Sequence, residues 1–269
     1  MSNRLKDIAI QNERVATAGV YTTATGTRVP IASALAAARS GTVSYSPAFT
    51  PAPTGPFTGG AEVTGEDSLR AARRLTDEGV EHLAVLNFAS ARNPGGGYLR
   101  GAKAQEEDLC RTALLYPCLL EAPDYYAAHR ASTDLNYSHR VIFSPHVPVI
   151  RDGSRALLDQ PYQVSFLTSP APNAGRLALN SPGEKVDVKG TLTTRARRVL
   201  GVAAHHGVRE LVLGAWGCGV FGNDPAEVAD AFAEALDTHG APFVRVTFAV
   251  WDRSADSPNR AAFRARFAG

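Results

Sequence analysis

HLAVLNFASARNPGGGYLRGAKAQEEDLCR, His82 to Arg111, reads as a buried strand, a glycine-rich loop and a helix in direct succession. The first nine residues form an apolar run of strand length. The three consecutive glycines, Gly95, Gly96 and Gly97, strip every Cβ from a piece of backbone. That costs chain entropy and is worth keeping mainly where something must approach closely. Shortly after come two adjacent acids, Glu106 and Glu107, at the start of the helix. Acids there also oppose the helix dipole favourably, so each motif taken alone has a plain structural explanation. Adjacent helical positions diverge by about 100°, so the two acids cannot play the same role.

Outward from this stretch, helix and strand patterns alternate. DSLRAARRLTDEGV (67–80) reads as a helix ending at Gly79, and the helix carrying the acids reads as AQEEDLCRTALLYPCLL (104–120). RVIFSPHVPVIRD (140–152) and YQVSFLTSPAP (162–172) read as strands, the first with polar positions that suit an edge or an interruption. A long helix from Val188 to Ala204 follows, then strand ELVLGAW (210–216) and helix AEVADAFAEALDTHG (226–240). Strand FVRVTFAVW (243–251) and helix NRAAFRARFA (259–268) end the chain. The alternation predicts an α/β fold with a layered sheet and functional loops at the carboxyl ends of strands.

The first sixty residues read differently. They offer an amphipathic helix over Arg4 to Ala18, a short β pair through VYTTATGTRVPI (20–31) and an alanine-rich helix from Ile31 to Arg39. SPAFTPAPTGPFTGG (46–60) has the composition of an exposed connector, although its two phenylalanines suggest that it packs. The expected division is an accessory cap segment, 1–62, packed on a catalytic domain, 63–269.

Composition narrows the function. A net charge of +2 on 269 residues advertises no polyanion-binding surface, so direct DNA binding is not expected and a nucleotide-like ligand must be caught by a site. Cys110, Cys118 and Cys218 form no C-x-x-C pair and read as reduced thiols. The opening residues carry charges every few positions and no apolar signal core, and no apolar run is long enough for a membrane span. A cytoplasmic protein, monomeric and away from membranes, is expected.

The second glycine loop, GAWGCGVFGND (214–224), leaves a strand and enters a helix near Pro225. Gly217, Gly219 and Gly222 satisfy G-x-G-x-x-G, and backbone N–H groups of such a loop bind anionic oxygens without a cationic side chain. A diphosphate suits it. Phe221, a large ring between glycines, either packs on the body or offers its face to a ribose. Two such loops from two strand ends would flank one crevice.

GGG, a short spacer, QEE and, much later, GCGVFGN together resemble the microbial type of poly(ADP-ribose) glycohydrolase, whose catalytic domain is a macrodomain. The likeness runs over residues 63–269 in motif and element order. It implies a three-layer α/β/α fold with a mixed central sheet, and release of ADP-ribose from poly(ADP-ribose) and poly(ADP-ribosyl)ated proteins, mainly from chain ends, in the DNA damage response. It implies that Glu107 is catalytic, first as acid and then as base, with Glu106 helping to position the distal ribose. Substrate contacts are expected from Asn93, Gly95, Gly96, Gly97 and Gln105, and from Gly217, Cys218, Gly219, Val220, Phe221, Gly222 and Asn223. A second carboxylate of the usual retaining kind is missing, so the substrate's own diphosphate is expected to stabilise the oxocarbenium-like transition state. Its charge also favours a protonated Glu107.

No cofactor is expected and no metal; His205 and His206 fall at a helix C-terminus, where the dipole favours them. Where other macrodomains carry Asn-Ala-Ala-Asn, this chain has Asn87-Phe88-Ala89-Ser90 and then Asn93, so either asparagine is a candidate for the distal ribose, Asn93 being nearer the glycines. Tyr98, Tyr125 and Tyr126 are candidates for gripping adenine or are core residues. The N-terminal segment is a candidate lid over the adenosine end. A non-catalytic ADP-ribose reader would use the same loops, but a buried carboxylate beside a diphosphate weakens ground-state binding. A nicotinamide-dependent dehydrogenase fits poorly, because its glycine motif opens the fold whereas this one comes late.

Overall fold

The computed structural model describes residues 2–180, 186–254 and 256–267. In chain order the first elements are α1 (Ser2–Ala18), β1 (Val20–Thr22), β2 (Arg28–Pro30), α2 (Ala32–Ser40), β3 (Val43–Tyr45), β4 (Gly60–Thr64), α3 (Ser68–Asp77) and β5 (Leu83–Phe88). A 3-10 turn (Tyr98–Arg100) leads to α4 (Gln105–Thr112), α5 (Leu115–Leu119), α6 (Pro123–Arg130), β6 (Val141–Arg151), β7 (Leu157–Ser169) and α7 (Ala174–Asn180). Then come α8 (Val188–His205), β8 (Glu210–Leu213), α9 (Pro225–His239), β9 (Arg245–Ala249) and α10 (Pro258–Phe267). The expected last residue of α10, Ala268, lies outside the described residues.

The main sheet has seven strands in the order β3-β6-β7-β5-β8-β9-β4. β5 pairs in parallel with β7 and β8, β9 in parallel with β8 and β4, while β6 is antiparallel to both β3 and β7. The sheet is therefore mixed, as expected. Along β5 the side chains alternate between two cores: Leu83 and Val85 pack with α1 to α6, and Ala84 and Leu86 with α8, α9 and α10. That alternation makes the three layers. Because β5 and β8 are parallel neighbours, the loops after them leave the same edge of the sheet side by side.

Residues 1–62 do not stand apart. β3 forms one edge of the sheet, and the expected boundary falls inside β4, which forms the other. Residues 46–59 strap the two edges together across α8 and α9. Arg198 donates to the carbonyls of Ser46, Pro47 and Phe49, Pro51 lies against Gly201, and Phe57 N–H donates to Leu236 O at 2.9 Å. The connector packs through Phe49 and Phe57, as its composition suggested.

One helix differs from expectation. The helix expected over 104–120 is two helices, because Pro117 lacks an N–H and its ring crowds the carbonyl four residues back, at Ala113. Ala113 instead pairs with Val149, and Leu114 N–H donates to Pro148 O. For RVIFSPHVPVIRD the interruption holds of the two alternatives: its polar positions mark a bulge between Ser144 and Val147, with His146 at φ +46°, in a strand that is internal and not an edge.

Candidate active site

Gln105 opens α4 and ties it to β5: its Oε1 accepts from Phe88 N–H at 2.8 Å and its Nε2 donates to Leu86 O at 2.7 Å. A third bond, Nε2 to Ser68 Oγ, adds α3. Gln105 thus orients the helix. The same bonds fix the height at which the next two residues meet the glycine loop.

Both acids are buried, Glu106 at 2% and Glu107 at 7% exposure, but their bonding differs. Glu106 is fully engaged, its Oε2 accepting from Ser90 N–H at 2.7 Å and its Oε1 from Asn87 Nδ2 at 3.2 Å. Glu107 accepts one bond, from Gly97 N–H to Oε1 at 2.8 Å, and its Oε2 is buried without a partner. The roughly 100° between neighbouring helical residues appears here as one acid turned to the strand and one turned to the loop.

The glycines explain themselves in this geometry. Gly95 and Gly96 take φ of +62° and +58°, the left-handed region. A Cβ on Gly96 would stand 2.5 Å from Glu107 Oε1 and 3.1 Å from Glu106 Oε2. The triplet brings bare backbone onto both carboxylates at once.

Burial pushes the Glu106 carboxyl up to about 8, and the neighbouring Glu107 adds to the rise against the opposing hydrogen bonds from Ser90 and Asn87. Glu106 so holds its proton through neutral pH. Below about 4.5 the carboxyl is protonated in both folded and unfolded chains. Between about 4.5 and about 8 only the unfolded chain ionises, so stability falls as pH rises through that window. Glu106→Gln removes this dependence: Asn87 can turn its amide and present Oδ1, now without a partner, to the new Nε2. The thermal midpoint of the variant should gain on wild type by several degrees between pH 5 and 8, at ~2–4 °C per kcal/mol. Parallel midpoint curves for the two proteins would show that Glu106 is ionised when folded.

Across the crevice, the loop after β8 closes on itself through Asn223, whose Nδ2 donates to Pro172 O at 3.0 Å and to Gly217 O at 3.2 Å. Asn223 is buried at 3% exposure, so it staples the loop and does not face a ligand. Cys218 is half-buried, and burial raises its thiol to about 12, which removes it as a nucleophile. The backbone N–H groups of Gly219, Val220 and Phe221 have no partner among the described residues. Val220 stands at the tip, 89% exposed. Phe221 packs partly on the core and faces Tyr137, ring centroids 6.1 Å apart.

A cavity of about 980 Å³ borders α4 at Gln105 and Asp108, without Glu106 or Glu107 in its lining, and reaches Phe88, Ala215, Gly219, Val250 and Trp251. It continues between α3, α4 and the β6–β7 hairpin. Trp251, 55% exposed at the end of β9, is the large aromatic surface there. Tyr98, Tyr125 and Tyr126 are core residues, at most 1% exposed. Asn93 is exposed, while Asn87 is the asparagine that touches an acid. The sequence reading missed Trp251, for which a bulky ring at a strand's carboxyl end was the available signal, and Tyr137, a lone aromatic in a polar loop.

A mixed sheet between two helical layers, with two glycine loops and a buried acid pair at the strand ends, defines a macrodomain-type glycoside hydrolase. Residues 9–152 match the family described as microbial-type PARG (poly(ADP-ribose) glycohydrolase), catalytic domain. The poly(ADP-ribose) glycohydrolase of Thermomonospora curvata is 45% identical over 98% of this chain and 100% of its own, with a TM-score of 0.89. Its structure with the inhibitor ADP-HPD gives a TM-score of 0.88 at the same identity and coverage. The Deinococcus radiodurans enzyme in complex with ADP-ribose is 47% identical over 86% of this chain and 96% of its own, TM-score 0.80. No match was found among curated proteins. The chain belongs to the microbial-type poly(ADP-ribose) glycohydrolase family and is a poly(ADP-ribose) glycohydrolase, which sets aside the binding-only and dehydrogenase alternatives.

Proposed function

We propose that the chain binds the terminal ADP-ribose unit of poly(ADP-ribose), free or on modified proteins, and cleaves the ribose–ribose bond behind it with Glu107 as sole acid and base. The observation that carries this is the asymmetry of Glu107: Oε1 is held by Gly97 N–H and Oε2 is left without a partner. Protonated Glu107 gives its proton from Oε2 to the leaving ribose hydroxyl oxygen as the C1–O bond breaks. The carboxylate then takes a proton from the water that attacks C1, which regenerates the acid and yields ADP-ribose.

The unpartnered amides of Gly219, Val220 and Phe221 suit the diphosphate, whose charge can stabilise the oxocarbenium from within the substrate. Gly95, Gly96 and Gly97 let the distal ribose approach from the other side, and Phe221 with Tyr137 forms a wall to press it toward Glu107. Trp251 offers a face for adenine. Both close relatives described above hold ADP-ribose or an ADP-based inhibitor, which supports the same ligand here.

The test is incubation of the purified protein with poly(ADP-ribose), with and without EDTA, and chromatography of the products. Monomeric ADP-ribose should accumulate from the earliest times, at equal rates in both samples, since no three His, Cys, Asp or Glu side chains among the described residues are grouped to hold a metal. Early oligomers would overturn the chain-end preference. Loss of activity in EDTA, restored by Mg²⁺ or Zn²⁺, would overturn the metal-free mechanism.

A further inference from the structure

We propose that Asn12, Tyr98 and Arg111 are positioning residues for the glycohydrolase reaction, acting through a hydrogen-bonded chain from α1 to the amide that holds Glu107; this rests on the assignment of Glu107 above. Three successive glycines do not hold a peptide in one orientation by themselves. The Gly97 N–H must nevertheless stay aimed at Glu107 Oε1, because that bond decides which oxygen is left for proton transfer.

The constraints come from behind the loop. Gly97 O accepts from Ala102 N–H at 3.1 Å, and Ala102 O accepts from Arg111 Nη2. Arg111 also donates from Nη1 to Asp108 Oδ1 at 3.0 Å. The main-chain oxygens of Cys110 and Arg111, at the end of α4, accept from Asn12 Nδ2 at 3.3 and 2.9 Å. Asn12 Oδ1 accepts in turn from Arg151 Nε at 2.9 Å. The same Gly97–Tyr98 peptide donates from Tyr98 N–H back across the triplet to Gly95 O, and the Tyr98 hydroxyl reaches Ala9 O at 3.3 Å and Glu13 Oε1 at 3.2 Å. Both ends of the glycine triplet and the far end of α4 are thus moored to one stretch of α1, Ala9 to Glu13.

Three features separate this from ordinary core packing. Asn12 and Arg111 are fully buried and Tyr98 is 1% exposed, so none of them can touch substrate. Arg111 is one helical turn beyond Glu107, on the same face of α4. Its guanidinium keeps an unpaired Nε in the interior, a desolvation cost that an apolar side chain would avoid.

The experiment measures single-turnover cleavage of poly(ADP-ribose) and calorimetric binding of ADP-ribose for Tyr98→Phe, Asn12→Ala and Arg111→Lys, with thermal midpoints for each. A displacement of about 1 Å at the acid can cost on the order of 10²-fold in rate, so rates should fall ~10- to 100-fold while ADP-ribose affinity stays within about threefold. Each substitution should add nothing further to the loss in a Glu107→Gln background, because it acts through Glu107. Equal losses in rate and affinity, or losses that add to that of Glu107→Gln, would overturn the proposal. If Arg111→Lys does not fold, Tyr98→Phe, which removes only the hydroxyl, decides the matter. A wild-type protein that releases no ADP-ribose would instead refute the assigned reaction.

Discussion

Glu107→Gln should lower poly(ADP-ribose) hydrolysis by about 10⁴-fold while leaving ADP-ribose binding within about tenfold of wild type. The amide keeps the shape of the side chain, and its oxygen can still accept from Gly97 N–H, so the loop has no reason to move. What disappears is an ionisable group at the position of Oε2. General acid–base catalysis alone contributes about 10²–10⁴-fold, and here one group performs both proton transfers, so both halves of the reaction lose it. Glu106 cannot substitute, because both of its oxygens are already committed to Ser90 and Asn87. Single-turnover rates with matched calorimetry check this. Turnover within a few-fold of wild type would remove Glu107 from the mechanism.

Gly96→Ala is expected to have the next largest effect. The added Cβ would stand 2.5 Å from Glu107 Oε1, closer than real Cβ contacts come, and Gly96 has φ +58°, which L side chains rarely adopt. Either the carboxylate leaves the Gly97 amide or the loop shifts away from the acids. Cleavage should fall about 10²-fold or more. The left-handed residue itself costs about 1–2 kcal/mol, a fall in thermal midpoint of ~2–4 °C per kcal/mol in a chain of this size. A rate loss no greater than the loss of folded protein would mean that the glycine serves only the turn.

The parts of this site that were legible in the sequence share a physical basis: each depends on residues near in the chain. The β5–loop–α4 unit shows itself through an apolar run, three glycines and a helix opening on acids. The loop after β8 shows itself the same way, and parallel pairing of β5 and β8 brings the two together. What could not be read depends on distant partners. The bonds of Asn87 reach Glu106 and Thr168, 19 and 81 positions away in the chain, and no local pattern shows them. Asn12, 98 positions from Cys110 in the chain, carries no local signal of the bond between them.

Residues 1–62 looked accessory for a similar reason. The three-residue β3 and the five-residue β4 are too short for a periodic pattern and exist because β6 and β9 offer them edges. The tyrosines were ambiguous because an aromatic pattern does not separate a ligand platform from a core; burial separates them, leaving Trp251 exposed and Tyr125 and Tyr126 inside.

The central claim, that a single carboxyl oxygen of Glu107 works on the bond while the other is held by the loop, is tested most directly by a crystal structure of this protein with ADP-ribose. The account predicts Glu107 Oε2 within about 3 Å of the anomeric oxygen of the distal ribose, with Oε1 still bonded to Gly97 N–H and the diphosphate on the amides of Gly219 to Phe221. A distal ribose whose anomeric oxygen meets Glu106, with Glu107 turned away, would contradict it.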